Sequence, residues 1–168
     1  AADALGELGQ PVALDYLVAA LDTGDFNVRI AIAGALGRFD PAVVAPRLEK
    51  ALGHANPRFR KAVCFALGRL KDPDLALGPL TQALPDPDEG VAKHAAFALA
   101  ALGSPHAVAP LVNALQDPRP FVRATACEAL RRLGRPEAGG WLGHTLQDPD
   151  ATVRSAAAVA LGAAGGDD

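Results

Sequence analysis

The sequence predicts an all-α fold, a right-handed α-solenoid of stacked helical hairpins with a repeat of about 31 residues. Of the 168 residues, 37 are Ala and 23 are Leu, the strongest helix formers. The chain also holds 17 Gly and 14 Pro, so the helices must be short and often interrupted. A regular repeat of two short motifs is the third observation, and it decides the architecture.

Two sequence marks recur in one register. The first is an Ala-Leu pair, whose leucines are 31, 31, 32, 31 and 31 residues apart. The second is an apolar residue usually followed by Arg, with spacings of 31, 32, 31 and 31 residues. Two marks with one period define an internal repeat. The marks are Leu5, Leu36, Leu67, Leu99, Leu130 and Leu161, and Val28-Arg29, Phe59-Arg60, Val91-Ala92, Val122-Arg123 and Val153-Arg154.

Each repeat predicts an outer helix, a polar turn and an inner helix. The outer helix opens at or beside a proline, which fits the first helical turn because its missing N–H has no partner there. Asp or Asn in the turn is suited to cap the inner helix. Because one hairpin cannot bury its apolar face alone, neighbouring hairpins must stack. We expect one solenoid domain, a fragment of a longer array, with a partial inner helix over 1–8, repeats over about 9–39, 40–70, 71–102, 103–133 and 134–164, and a tail over 165–168.

The run Asp-Pro-x-x-x-Val-Arg followed by Ala-Leu-Gly resembles the HEAT-like repeats of bacteria, in the short form also found in phycobilisome lyase subunits. The resemblance covers essentially the whole chain and is specific for fold rather than for function. It implies that the inner helices line a concave, partner-binding surface. The run is clearest at Asp148-Pro149, Val153-Arg154 and Ala160-Leu161-Gly162.

Composition limits the function classes. The 16 Lys and Arg against 19 Asp and Glu give a net charge of −3, which argues against a globally basic nucleic-acid binder. An apolar fraction of 50% excludes a disordered chain. No apolar run approaches the roughly 18 residues of a membrane span, and no secretory leader is recognisable. We expect a cytoplasmic protein without membrane contact.

No catalytic or metal-binding constellation is recognisable, and we expect no cofactor. Cys64 and Cys127 occupy one register slot two repeats apart, roughly 20 Å, which is too far for a disulfide. Other repeats hold Ala in this slot, so both cysteines are expected to be small buried residues. The histidines show no metal-ligand spacing on any helix face and are expected at the surface. They are His54, His94, His106 and His144.

Arginines and turn aspartates recur with the repeat and predict a ladder of ion pairs between successive turns. Ala92 replaces one arginine, which predicts a gap. Such pairs at a solvent edge contribute about 0–1 kcal/mol each. The ladder residues are Arg29, Arg60, Arg123 and Arg154 with Asp86, Asp117 and Asp148.

Glycines recur inside the inner helices. A helical Gly costs about 1 kcal/mol relative to Ala, and we expect close approach of neighbouring helices in return. These glycines are Gly6, Gly37, Gly68 and Gly162.

In each inner helix, the residue that follows the recurring ladder arginine should point outward. The residues four and eight positions further along lie on the same helix face and should point outward too. Phe65 and Phe97 fall in equivalent slots there, beside lysines. Inner helices with their lead-in residues hold 12 basic and 7 acidic side chains, and the rest of the chain holds 4 basic and 12 acidic ones, which predicts a basic groove and an acidic back. The predicted partner-binding residues are Ile30, Arg38, Lys61, Phe65, Arg69, Lys93, Phe97, Glu128 and Arg132.

The favoured function is a non-enzymatic protein-protein interaction scaffold whose groove binds an acidic or amphipathic segment, because aromatics beside arginine are common interface anchors. One alternative is nucleic-acid binding, with bases stacked on the same rings. Another, implied by the resemblance, is a lyase-type enzyme subunit. Phe65 and Phe97 could instead tilt into the core. Copies could also associate end to end through the apolar last helix. Trp141 and Tyr16 are expected mainly to pack, with a contact site around Trp141 as the alternative.

Overall fold

Five helical hairpins follow one another in the computed structural model, which describes residues 11–22 and 25–164. The expected partial helix over 1–8 and the tail over 165–168 lie outside the described residues. Ten α-helices occur in the described ranges. They are α1 (Pro11–Ala20), α2 (Phe26–Leu36), α3 (Pro41–Ala51), α4 (Pro57–Leu67), α5 (Pro73–Ala83), α6 (Glu89–Ala101), α7 (Val108–Ala114), α8 (Pro120–Leu133), α9 (Gly139–Thr145) and α10 (Ala151–Ala164).

The helices form two rows. The odd-numbered helices are the outer helices of the sequence analysis, and we call them the outer row. The even-numbered helices are the inner helices, and we call them the inner row. Each helix of the inner row packs on the next one, from α2 through α4, α6 and α8 to α10. The stacked hairpins form the predicted α-solenoid.

Prolines start the outer row, as predicted. The first three begin α-helices directly, whereas the last two begin short 3-10 turns that lead into α7 and α9. Proline is accommodated at these starts because the first turn of a helix has no partner for its N–H. The prolines are Pro11, Pro41, Pro73, Pro105 and Pro136.

Side-chain caps start most helices of the inner row. The Asn56 side chain, for example, accepts a hydrogen bond from the backbone N–H of Arg58 at 3.0 Å. Such a cap satisfies one of the four N–H groups that have no partner inside the helix. Arg119 occupies the equivalent position before α8 and makes no side-chain cap. The capping residues are Asp25, Asn56, Asp88 and Asp150.

One hydrophobic core runs between the two rows. The repeated leucines of α2, α4, α6 and α8 are at most 1% exposed, whereas Leu161 of α10 is half-buried. Full burial of a leucine side chain stabilises the fold by about 1.5–3 kcal/mol. Cys64 and Cys127 are fully buried and unpaired, which confirms the prediction for both. The buried repeated leucines are Leu36, Leu67, Leu99 and Leu130.

Close helix approach occurs at one of the three described repeat glycines. A Cβ atom on Gly68 would lie 2.8 Å from Cβ and 3.0 Å from Cα of Ala98 in the neighbouring α6. A Cβ atom on Gly37 would make only ordinary contacts at 3.6 Å, and one on Gly162 would meet nothing within 4 Å. The expectation is therefore wrong for Gly37 and Gly162. Gly6 lies outside the described residues.

Among the helices of residues 11–22 and 25–164, none has the length and apolarity of a membrane span.

The close contact at Gly68 predicts opposite effects for two Gly→Ala substitutions. Gly68→Ala forces α4 and α6 apart and should lower the free energy of unfolding by about 1–3 kcal/mol. Gly34→Ala in α2 meets nothing within 4 Å and should raise it by about 0.5–1 kcal/mol, because Ala is the better helix former. Urea denaturation of both variants measures the difference. Equal effects of the two substitutions would contradict the packing at Gly68.

Candidate functional site

Ion pairs join the turns of successive hairpins. Arg60 donates from Nε and Nη2 to the two carboxylate oxygens of Asp86, at 2.7 and 2.8 Å. Arg123 holds Asp148 in the same way, at 2.7 and 2.8 Å. All four side chains are nearly buried. These two pairs confirm the predicted ladder at both places.

In Arg60, Arg123 and Arg154, Nη1 binds the turn before the arginine's own helix. Nη1 of Arg60 donates to the carbonyl oxygens of His54 and Ala55, at 2.8 and 3.0 Å. Arg154 makes the equivalent two contacts with its own preceding turn, at 2.8 and 2.9 Å. Arg60 and Arg123 therefore each donate hydrogen bonds to their own preceding turn and form an ion pair with the aspartate of the next turn.

The predicted gap at Ala92 is bridged by a different arginine. Arg119 donates from Nε and Nη2 to the Asp117 carboxylate at 2.9 and 3.0 Å, and from Nη1 to the Asp86 carbonyl oxygen at 2.7 Å. Asp117 is therefore paired, although not with a ladder arginine. Arg119 stands at the position where the other inner helices have their cap, so the repeat pattern did not mark it.

Pairing lowers the carboxyl pKa values. Hydrogen bonds from Arg123, opposed by burial, set the pKa of Asp148 below its ordinary 3.8. Burial by itself would raise the pKa of Asp86, but hydrogen bonds from Arg60 and from the Asp88 N–H outweigh burial and lower it. The ladder is therefore charged throughout the neutral pH range.

The ladder predicts a stability difference between two Asp→Asn substitutions. Asp148→Asn should lower the free energy of unfolding by about 1.5–3 kcal/mol, the range for hydrogen bonds to charged groups. The matched control Asp15→Asn breaks a pair with Arg47 in which Asp15 is 74% exposed, and it should cost at most about 1 kcal/mol. Urea denaturation at pH 7 tests both.

The same substitution has a predicted pH dependence. Because the folded-state pKa of Asp148 is lowered, its contribution is complete above the ordinary carboxyl range and is lost as the pH falls through the lowered pKa. The difference between the wild type and Asp148→Asn should therefore shrink in acid. A difference that is constant from pH 7 to pH 2 would contradict the pairing.

The predicted partner-binding residues lie on the inner row and its turns, and they are exposed or half-buried. Phe65 and Phe97 are half-buried: each packs against the core and lines a surface cleft. Their placement combines the two interpretations that the sequence left open. Half-buried residues are Lys61, Phe65, Phe97 and Glu128, and exposed ones are Ile30, Arg38, Arg69, Lys93 and Arg132.

Cations stack on both phenylalanine rings. The guanidinium carbon of Arg132 lies 3.9 Å from the ring centroid of Phe97, and Nζ of Lys93 lies 5.4 Å from it. Arg69 lies 5.3 Å from the ring centroid of Phe65. At exposed sites such contacts stabilise by about 0.5–1 kcal/mol. Of the two lysines that the sequence placed beside these rings, Lys93 stacks on Phe97.

Two carboxylates moderate this positive charge. Glu128 accepts a hydrogen bond from Arg132 at 2.9 Å, and Asp88 lies 3.6 Å from Nζ of Lys61. The predicted basic residues of the inner row therefore differ in how strongly they are neutralised.

Three surface clefts follow the inner row. One of about 440 Å³ lies between α4 and α6 and brings Phe65, Arg69 and Phe97 together. One of about 500 Å³ lies across α6, α8 and α10 and includes Lys93 and Glu128. The third, of about 480 Å³, reaches from α2 to α6 past Phe65 and Lys61. The aromatic and arginine side chains that line these clefts without having been predicted from the sequence include Phe26, Arg58 and Phe121.

Two aromatic residues of the outer row are exposed instead of packed. Trp141 of α9 is 51% exposed, and Tyr16 of α1 is 67% exposed. The expectation that they mainly pack is therefore wrong for both residues.

Candidate nucleophiles and metal ligands are dispersed. Burial raises the pKa of the Cys64 thiol to about 12 and that of Cys127 to about 11. All four histidines are exposed, as predicted. Within residues 11–22 and 25–164, no three His, Cys, Asp or Glu side chains form a group that could hold a metal ion.

The thiol environment predicts unreactive cysteines. Ellman's reagent at pH 8 should leave Cys64 and Cys127 unmodified in the folded protein and titrate both after denaturation in guanidinium chloride, because thiolate is the reacting form. Rapid labelling of either thiol in the folded protein would contradict its burial. The Cys64→Ala variant provides the assignment.

Comparison with known families decides the identity of the repeat. The family model of HEAT repeats matches residues 17–77 and 77–162. The chain belongs to the HEAT-repeat family. The model of the PBS lyase HEAT-like repeat also matches, over residues 1–23. No curated protein is similar enough in sequence to match.

Solved structures with similar HEAT-like architecture differ in what they do. Human deoxyhypusine hydroxylase is 25% identical with a TM-score of 0.64, and the match covers 97% of this chain but 66% of that one. The complex of CpcE and CpcF of phycocyanin lyase from Nostoc sp. PCC7120 contains a chain that is 22% identical with a TM-score of 0.69, with coverage of 90% and 99%. A designed armadillo repeat protein in complex with the peptide (KR)4 is 20% identical with a TM-score of 0.53, with coverage of 97% and 90%. This fold therefore serves both enzymes and peptide binders.

Proposed function

We propose that this HEAT-repeat protein is a non-enzymatic interaction scaffold whose inner row binds an acidic or amphipathic segment of a protein partner. The observation that carries the proposal is the stacking of cations on half-buried rings, with Arg132 3.9 Å from the Phe97 ring centroid. A ring and a cation side by side offer an apolar contact and a charge to the same ligand. Aromatic and arginine side chains are the usual anchors of interfaces.

The extent of the surface also supports a segment rather than a small molecule. The three clefts of 440–500 Å³ follow one another along the inner row. Each is lined by Phe65 or by Lys93, which take part in the cation–ring contacts described above. An extended peptide can occupy several clefts at once. The designed armadillo repeat protein that binds (KR)4 takes a basic peptide, and the cations of this inner row favour the opposite charge.

The enzyme alternative draws on the relatives named as a hydroxylase and a lyase. In the described part of this chain, both cysteines are buried and the histidines are scattered over the surface. We therefore prefer binding over catalysis. Nucleic-acid binding would use the same rings for base stacking, and its steep dependence on salt distinguishes it.

Peptide display tests the proposed function. Selection on the wild type should enrich peptides that combine acidic residues with a large apolar side chain. The Phe65→Ala, Phe97→Ala double variant should bind an enriched peptide about tenfold or more weakly, because it loses two anchors. Trp141→Ala removes an exposed aromatic residue of the outer row and should leave affinity unchanged. Circular dichroism checks that each variant folds.

Three outcomes would contradict the proposed function. They are enrichment of basic peptides, loss of binding in Trp141→Ala alone, and binding of a single-stranded oligonucleotide that is tighter than binding of any acidic peptide and falls steeply with salt.

A further inference from the structure

The ladder of ion pairs is interrupted at its first described rung. Each later turn has an aspartate two residues before the cap position of its inner helix, at Asp86, Asp117 and Asp148. The turn before α4 has His54 at this position. Arg29 is the ladder arginine that would pair with it, since the spacing of 25 residues equals that between Arg123 and Asp148.

His54 replaces one of the two roles of the ladder aspartate. Its Nδ1 accepts a hydrogen bond from the Asn56 backbone N–H at 3.2 Å, as Asp86 accepts from the Asp88 N–H at 2.8 Å. Its ring also lies 4.6 Å from that of Phe59. The turn is therefore formed, but this position supplies no carboxylate for Arg29.

Arg29 instead lines the 480 Å³ cleft between α2, α4 and α6. Arg58, Lys61 and His94 line the same cleft, so four basic side chains share it. Among the described residues, Lys61 alone of these four forms an ion pair, with Asp88 at 3.6 Å.

One carboxylate lines this cleft among the described residues. It belongs to Asp22, whose Oδ1 already accepts a hydrogen bond from Nδ2 of Asn56 at 2.8 Å. The charge balance of the lining is therefore positive. A cleft with one sign of charge attracts a partner of the opposite sign.

The cleft also has an aromatic wall. Phe26 is 62% exposed, and its ring centroid lies 6.4 Å from that of Phe65, with the planes tilted by 51°. An exposed phenylalanine in one cleft with Arg29, which forms no ion pair within residues 11–22 and 25–164, offers an apolar contact and a charge within one site. The combination fits a short peptide segment that carries an acidic and an apolar side chain together.

We infer that the cleft of Phe26, Arg29, Arg58 and Phe65 is the anchor point of the partner's acidic segment, with a partner carboxylate taking the place that the ladder aspartate has in later repeats. This inference rests on the proposed function and specifies which part of the inner row binds first. Adjacent Asp or Glu residues with a neighbouring Leu or Phe are the chemistry that the cleft recognises.

A pair of substitutions at His54 tests the inference with a matched control. His54→Asp supplies the missing carboxylate inside the chain, so that Arg29 pairs internally. His54→Asn keeps an oxygen that can accept the Asn56 N–H and loses the same ring, but it adds no charge. The two variants therefore differ in charge alone at one position.

The probe is a fluorescent peptide with adjacent glutamates flanked by leucine and phenylalanine. Its binding is measured by the change in fluorescence anisotropy. His54→Asp should bind it about tenfold more weakly than His54→Asn, and His54→Asp should have the higher melting temperature because the ladder gains a rung. Loss of binding with gain of stability excludes unfolding as the cause. The same peptide with Gln in place of Glu should bind weakly to every variant.

A second pair of variants addresses general charge effects. Arg29→Gln with Arg58→Gln should weaken binding of the glutamate peptide about tenfold or more, because the peptide carboxylates lose the two guanidinium groups that attract them. Lys71→Gln removes one exposed charge outside the cleft and should change affinity less than twofold.

Three results overturn the inference. If the peptide binds equally to His54→Asp and His54→Asn, or if Lys71→Gln matches the cleft variants, the cleft is not the anchor. If in that case Phe65→Ala with Phe97→Ala still abolishes binding, the proposed function stands and the anchor lies further along the inner row. If the wild type binds no acidic peptide at all, both the inference and the proposed function are wrong.

Discussion

Each hairpin of this protein is too small to bury its own apolar face, and stacking on the next hairpin is the constraint on which the rest of the structure depends. The repeated leucines of α2, α4, α6 and α8 are buried between the rows, where the stacked hairpins meet. At Gly68 the spacing of α4 and α6 leaves no room for a side chain. Stacking at this spacing also brings successive turns within hydrogen-bond reach, and the Arg–Asp ladder follows from it.

The ladder in turn decides which charges are available to a partner. Arg60 and Arg123 are used inside the fold, since each grips a carboxylate with two nitrogens and its own turn with the third. Their positive charge contributes little to binding, although composition counts it in full. Arg29, which stands opposite His54 where the repeat departs from its own pattern, keeps its charge available at the cleft of α2 and α4.

The periodic features could be predicted from the sequence because stacking imposes the same demand on each repeat. The buried Leu67 and the pair of Arg123 with Asp148 follow from period alone. The bridge made by Arg119 could not be predicted in this way, because Arg119 stands at a cap position outside the repeating Arg–Asp pattern. From there its one side chain binds both the Asp117 carboxylate and the Asp86 carbonyl oxygen. His54 was readable as a departure from Asp in an alignment of the turns, but its consequence required the geometry of the intact rungs. Exposure of Phe26 depends on where α2 begins, and a sequence pattern does not fix a helix end to a single residue.

The central claim is that the inner row, and not the outer row, carries the binding surface. The most direct test is to record ¹H–¹⁵N NMR spectra of the labelled protein while the acidic amphipathic peptide is added. The account predicts that shift changes concentrate in α2, α4 and α6 around Phe26, Phe65 and Phe97, and leave α9 around Trp141 unchanged. Changes centred on the outer row, or spread evenly over both rows, would contradict it.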